Sequence, residues 1–474
     1  AALCCSSAGA ADLSAFASAA TCFAASSSAI RFSSIDLEQA LNFGFDRWQP
    51  ITTYASQGFI TSFTEMVNEL PIEKPEDYTP DEAQSIEQEL AAAYDSTYGS
   101  SEQRAAAVAQ FNEIKPTIVA VMNESFSDLS CFEQLQTAGY TGPAFYNSLP
   151  DTLVRGTMLA SVAGGGTANS EFEFLTGATT AFVGLGKIPY QLYQMNGVNS
   201  LAKDLKELGY TATAMHPQNP VNYHRDKIYQ QLGFGDFLSI GDFEGAPCYH
   251  AGVCDYATYD KILDLLRTDE APQFIFDVTM QNHGGYDYGT VPAEELTNYW
   301  VEGASEGANS ALNTYLTCIN ASDRDLEYFI NELRNIGRPV VLVFFGDHQP
   351  SAATTLNDEL YPQEDTASHA FRIYQSTYLV WANYEIAGNT ELNVYDTVGA
   401  NEIAAITLNK IGAPLTDYQK ALLATRSDVP TINVAGYLGA DGLRYDLESE
   451  DSPYASTIDK LQRMQYLEFA SKVQ

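Results

Sequence analysis

Basic residues are scarce in this chain: 24 Lys and Arg stand against 61 Asp and Glu, a formal net charge of −37 over 474 residues. A surface of that sign repels phosphate backbones and anionic headgroups, which excludes nucleic acid as a partner and capture by a bare anionic membrane. Cysteine is scarce too, and seven in a chain of this length cannot build a disulfide scaffold. One close pair, Cys248 and Cys254 in PCYHAGVCDY, leaves three readings open: a short-loop disulfide formed outside the cell, two reduced thiols, or a zinc site completed through His250. Long apolar runs are missing as well. Residues 1–31 are rich in Ala and Ser, without the unbroken stretch that spans a bilayer or the basic start and apolar centre of a signal peptide. They read as the clipped end of a membrane region or as a loose amphipathic helix, and the start at Ala1 reads as a partial or processed form.

What the chain does contain excludes wholesale disorder. Hydrophobic residues make up 45% and charged residues 18%, and 29 Tyr with 24 Phe need a core or a groove to fill. Residues 1–46 are expected to be a weakly structured or helical remnant, and 47–115 a helical connector. Within that connector KPEDYTPDEAQSIEQELAAAYDS is acidic, solvated and started by Pro80 and Asp81. Residues 116–385 are expected to form the catalytic core and 386–474 a C-terminal subdomain packed on it.

From residue 116 the pattern changes. PTIVAVMNES, YTATAMHPQN, QFIFDVTMQNHGG, RPVVLVFFGDHQP and STYLVWANY are short apolar, β-branched runs, the first four ending in polar groups. Between them SLAKDLKELG, YDKILDLLRT and SDRDLEYFINELRNIG carry helical periodicity. Such alternation predicts an α/β fold with a largely parallel central sheet, helices on both faces and a smaller C-terminal α+β part. Ligands of such sheets collect beyond the carboxyl ends of the strands.

That edge is where the chemistry-bearing residues fall. Asp347 and His348 follow the run VVLVFF, and an adjacent carboxylate and imidazole can reach one cation. Glu124 ends another strand on the same edge, and by itself reads equally as a turn cap. In GGGTANSEFEFLTG three glycines precede Thr167 at the head of a helical stretch, where backbone N–H groups favour an anion. A hydroxyl there can ligate a metal, lose its proton and attack phosphorus, or simply cap the helix.

Together VMNES, GGGTANSEFEFLTG, HPQNPVNYHRD, MQNHGGY and GDHQP occur in the order and approximate spacing of the lipoteichoic acid synthase family of phosphoglycerol transferases, within the alkaline phosphatase and sulfatase-like superfamily. The resemblance runs over roughly residues 47 to 440. It implies that Glu124, Thr167, Asp347 and His348 hold one divalent metal, Mn²⁺ before Mg²⁺ or Zn²⁺, a choice that three oxygen ligands and one imidazole suit. It implies that His216, Arg225 and His283 hold the phosphate and glycerol of the substrate, with Tyr223 where the family commonly has Trp. His283 or His216 can serve as general acid, and the Arg225 guanidinium offers a fork for phosphate. His224, His250 and His369 read as structural or surface residues. No C-x-P-x-R motif stands at Thr167 or near a cysteine, which disfavours sulfate ester hydrolysis.

The implied reaction moves glycerophosphate from a phosphatidylglycerol-type lipid, through a covalent Thr167 intermediate, to a glycerol phosphate or glycan polymer. The setting is the extracellular face of a bacterial membrane, with anchoring segments upstream of this chain or release as a soluble domain. The alternatives are a phosphodiesterase or phosphatase with water as acceptor, phosphoethanolamine transfer, and a non-catalytic envelope-binding module.

Overall fold

The computed structural model describes residues 50–59, 62–63 and 70–473, so the expectation for 1–46 lies outside it. The chain divides into two units, Ala1–Glu73 and Lys74–Gln474. The first contributes the helix Pro50–Gln57. Everything below concerns the second.

Its centre is an eight-stranded sheet in the order β10-β2-β9-β8-β1-β7-β3-β4. The strands are β1 (Thr117–Asn123), β2 (Thr152–Leu159), β3 (Thr211–Met215), β4 (Asp236–Leu238), β7 (Gln273–Val278), β8 (Val340–Gly346), β9 (Gln375–Ala382) and β10 (Val394–Gly399). A two-residue hairpin, β5 (Cys248–Tyr249) and β6 (Gly252–Val253), stands apart, as does the antiparallel trio β11 (Thr431–Asn433), β12 (Gly436–Leu438) and β13 (Arg444–Tyr445). Every pairing in the large sheet is parallel except the two made by β9. The largely parallel α/β sheet read from the sequence is therefore the observed one. STYLVWANY, read there as another copy of the parallel strands, runs the other way between β2 and β8.

Strands β1 and β8 are buried at every position, which is why their sequences are continuous apolar runs and not alternating ones. Val119, Val121, Leu342 and Phe344 face a core shared with Leu312, Tyr315, Phe329 and Ile330 of the helix Glu306–Arg334. Each such side chain contributes about 1.5–3 kcal/mol on burial. Only the second half of that 29-residue helix carried a readable stripe. In the first half, Asn309 and Asn313 turn inward and accept from Val301 N (2.7 Å) and Tyr299 N (2.7 Å), so burial there is polar and the apolar period is lost.

Three strands of the sheet carried no legible signal. In β2 an Arg-Gly-Thr triplet interrupts the apolar run, β4 has three residues, and β10 is an edge strand with Tyr395 exposed. Because β10 joins the large sheet, the core continues past residue 385. The helices Pro80–Ser96 and Glu102–Ile114 are not a solvated connector. Tyr94 is buried and donates to Asn409 Oδ1 (2.6 Å), Arg104 donates to Asn409 O (2.9 Å), and Lys420 pairs with Asp95 at 2.9 Å. Their acidic faces are exposed, and their few apolar residues dock the C-terminal helices. A second core of Tyr418, Leu422, Ile432, Tyr437, Leu461 and Met464 holds the small β11–β13 sheet and forms the C-terminal α+β part.

No disulfide joins Cys248 and Cys254. The hairpin pairs Cys248 with Val253. Cys254 lies one residue beyond, caps the helix Asp255–Thr268 and is buried, which pushes its thiol up to about 12. No described helix is long and apolar enough to cross a membrane.

Candidate active site

The register of the two central strands brings the first ligands together. Asn123 of β1 pairs with Gly346 of β8, so the next residues, Glu124 and Asp347, leave the sheet side by side. Gly346 is required where the chains cross, since a Cβ there would lie 1.8 Å from Phe126 O. Ser125 turns the chain with φ +53° and donates its N–H to Asp347 Oδ1 (2.7 Å), and His348 N donates to the same oxygen (2.9 Å).

That oxygen is satisfied; the other is not. Asp347 Oδ2 and His348 Nε2 are buried without a hydrogen-bond partner, 3.1 Å apart. His348 Nδ1 faces Gln349 O (2.9 Å) and so carries the ring proton, which leaves Nε2 as a bare lone pair. Glu124 Oε1 lies 4.0 Å from Nε2 and accepts from Ser125 Oγ (2.8 Å). One potential ligand atom from each of Glu124, Asp347 and His348 thus lies within 4.8 Å of the other two. Burial, then the charge of Asp347, pushes Glu124 up to about 8. Buried groups in this arrangement repel one another unless a cation lies among them, and two carboxylates with one imidazole fit a hard divalent ion.

Thr167 opens the ten-residue helix Thr167–Thr176 and is nearly buried, behind Gly166 at φ +90°. Two bonds flank it. Gly164 N donates to Gln349 O (2.8 Å) and Ser170 Oγ donates to Asp347 O (2.6 Å). The glycine loop and the first turn of the helix are therefore both tied to the Asp347–Gln349 backbone, with Thr167 between the ties. Ser170 was not found from the sequence; its place one helical turn after Thr167 was the available signal.

His216, at the end of β3, is buried, and its Nδ1 faces Val278 O (2.8 Å). Burial above all, then the positive charge of Arg225, holds it neutral, well below the usual imidazole range. With the proton on Nδ1, its Nε2 is an acceptor.

Arg225 departs from the expected open fork. Its Nε donates to Glu171 Oε1 (2.9 Å) and its Nη2 bonds the same carboxylate, while Tyr229 Oη donates to Glu171 Oε2 (2.6 Å). One edge of the guanidinium is thus committed to a buried partner, and Nη1 is the part not engaged by Glu171. Glu171 is fully buried and went unremarked in the sequence, where it looked like one more acidic residue in a helix. Arg225→Ala strands that carboxylate and is expected to cost about 3–5 kcal/mol of stability. Urea unfolding measures it, and a loss below about 1 kcal/mol would show that solvent or a neighbour replaces the guanidinium.

Tyr223 packs under the same guanidinium, Arg225 Cζ lying 4.9 Å from its ring centroid. Tyr223 and His224 both hold left-handed backbone, φ +54° and +59°. Such consecutive values in non-glycine residues are costly and concentrate at functional sites. His283 is exposed on the loop after β7, its Nδ1 3.2 Å from Gly284 O. His369 contacts Asp358 (2.8 Å) near the surface.

A family model described as Sulfatase matches residues 116–402, more than half the chain. A Rhizobium meliloti (strain 1021) protein provisionally named as a cyclic beta-1,2-glucan modification protein is 30% identical over 254 residues, 53% of this chain and 38% of its own length. The match thus spans well under half of that relative. Among solved structures, the Streptococcus pyogenes phosphoglycerol transferase GacH in complex with sn-glycerol-1-phosphate is similar with TM-score 0.64 and 22% identity, covering 84% of this chain and 95% of that one. The lipoteichoic acid synthase LtaP from Listeria monocytogenes gives TM-score 0.53 and 16% identity over 80% and 97% of the two chains. At these identities the structural likeness shows the fold.

Proposed function

Since this chain belongs to the sulfatase family and has the alkaline-phosphatase-like fold, we propose that it is a metal-dependent phosphoglycerol transferase with Thr167 as nucleophile. The observation that carries the reading is the double tie of the Thr167 loop to Asp347–Gln349, beside a buried cluster of Glu124, Asp347 and His348 in which Asp347 Oδ2 and His348 Nε2 have no hydrogen-bond partner. Glu124, Asp347 and His348, joined by Thr167, would hold one divalent ion, Mn²⁺ by preference. When bound, that ion supplies Lewis-acid stabilisation of phosphoryl oxygens and lowers the pKa of a coordinated hydroxyl.

The chain's own groups have separable tasks. Thr167 Oγ1, its proton released to solvent, forms a bond to phosphorus as the bond from phosphorus to the diacylglycerol oxygen breaks, and that oxygen takes a proton from His283. An acceptor hydroxyl then gives its proton to His283 as its oxygen bonds phosphorus, the bond from phosphorus to Thr167 Oγ1 breaks, and Thr167 recovers a proton from solvent. His283, exposed on the loop after β7, is suited to serve both leaving and entering oxygens. His216, neutral with Nε2 as acceptor, is suited to a glycerol hydroxyl and not to a phosphate oxygen. Arg225 offers the phosphate its Nη1 edge, held rigid by Glu171.

The donor is a phosphatidylglycerol-type lipid, in keeping with the phosphoglycerol transferase named among the similar structures. The acceptor is a cell-envelope polymer, and the relative named for glucan modification favours a glycan. The setting is the outer face of a bacterial membrane. Mass spectrometry of the protein after exposure to phosphatidylglycerol and Mn²⁺ tests this. A glycerophosphate adduct on the Thr167 peptide is expected. Free glycerophosphate without any adduct overturns the covalent route, and an untouched lipid overturns the donor.

A further inference from the structure

The hairpin β5–β6 is used by nothing above, yet its tip presses on the loop that carries His283. His250 sits at that tip with φ +49°, a left-handed conformation that a non-glycine residue adopts only when its surroundings hold it there. Three contacts do so. His250 Nε2 lies 3.1 Å from His283 O, Nδ1 lies 2.9 Å from Thr290 Oγ1, and the ring stacks on Tyr286 at 5.5 Å with planes 5° apart. Alongside, Ala251 N donates to Gln281 O (3.3 Å), and Gly252 approaches so closely that a Cβ would lie 2.7 Å from Met280 O. The hairpin is fitted against residues 280–283.

The loop needs such a brace. His283 is followed by Gly284 and Gly285, the latter at φ +62°, and neither has a side chain with which to fix the backbone. The His283 ring bonds only the carbonyl of its own neighbour, Gly284. Tyr286 Oη donates to Asn282 O (2.8 Å), which pins the residue before His283, and the His250 bond takes the carbonyl of His283 itself. A carbonyl can only accept, so Nε2 of His250 carries the proton. With a neutral ring Nδ1 then accepts from Thr290, whose single hydroxyl proton is otherwise given to Asp287 O (2.8 Å).

We propose that His250 is a positioning residue: its Nε2–H, held by the hairpin, fixes the His283 carbonyl and thereby aims the His283 imidazole at the leaving oxygen. This rests on the reading of His283 as proton donor. The bond and the ring stacking are separable. His250→Gln keeps an N–H near the reach of Nε2 and loses the stack; His250→Phe keeps the stack and loses the bond.

The experiment compares wild type, both variants, His283→Ala and the double variant His283→Ala with His250→Phe on fluorescent phosphatidylglycerol with Mn²⁺. Hydrogen exchange of residues 283–287 is followed in parallel. In His250→Phe kcat is expected to fall about 10- to 100-fold with KM little changed, the penalty for a reacting group about an ångström out of place. His250→Gln should recover most of the rate, and in the His283→Ala background the Phe substitution should do nothing further. Exchange should quicken about tenfold or more in the Phe variant and stay near wild type in the Gln variant. Wild-type kcat in His250→Phe, or a Gln variant as slow as the Phe one, overturns the proposal. A wild type that leaves the lipid unreacted overturns the transferase reading instead, and the exchange comparison then decides the brace: unchanged exchange in His250→Phe rejects it.

Discussion

Thr167→Ala is expected to abolish release of diacylglycerol, by about three orders of magnitude or more if the residue is the nucleophile. The fold should survive, because the change removes one methyl and one hydroxyl at the head of a helix whose ties run through Gly164 N and Ser170 Oγ, both left intact. Thr167→Ser keeps the oxygen and frees χ1, so partial activity is expected there. Thr167→Cys should be poor with Mn²⁺, since a soft sulfur suits a hard ion badly. Thin-layer detection of diacylglycerol from a fluorescent phosphatidylglycerol reads all three. Wild-type release by Thr167→Ala would rule out the covalent route and leave activated water as the better attacking group.

Metal removal should have the second large effect. EDTA is expected to silence the enzyme and Mn²⁺ to restore it. Asp347→Ala should stay silent under both conditions, because it removes a charge and a donor atom at once. A readout apart from activity is available in stability. Mn²⁺ at about a hundred times its Kd should stabilise the wild type by about 2.7 kcal/mol, and the Asp347→Ala protein hardly at all. Glu124→Ala should behave likewise, since its Oε1 belongs to the same set of converging atoms. Equal Mn²⁺ stabilisation of wild type and both variants would show that the ion binds elsewhere.

Elements whose local pattern matched their burial could be read from the sequence. Strands β1, β7 and β8 are buried at every position, so each stood out as an apolar run with polar residues just after it, while β3 buries Ala212 and Ala214 and leaves Thr211 exposed. The helices Leu201–Glu207 and Asp255–Thr268 show one face to the core and kept their period. Strand β10 was lost because a sheet edge tolerates an exposed Tyr395, and β2, one strand further in, because half-buried Arg155 and Thr157 break its apolar run, so no period survives in either. The direction of β9 was lost for another reason: an apolar run has no polarity, and only pairing with β2 and β8 assigns one.

By itself, then, the amino-acid sequence determined the α/β class and the main buried strands, because burial on two faces leaves a continuous hydrophobic record. It also put Glu124, Asp347 and His348 at strand ends, since residues that follow such a run emerge at the sheet edge where ligands collect. Tertiary structure alone decided what those residues face. It set the Asn123–Gly346 register that brings Glu124 beside Asp347 and the two bonds that carry Thr167 to Asp347–Gln349. It also committed Arg225 to Glu171, and laid a surface-looking His250 against His283. The pairs Arg225–Glu171 and Ser170–Asp347 are 54 and 177 positions apart. A hydrogen bond across such a distance leaves no local period in the chain, because its partners meet only after the sheet has formed.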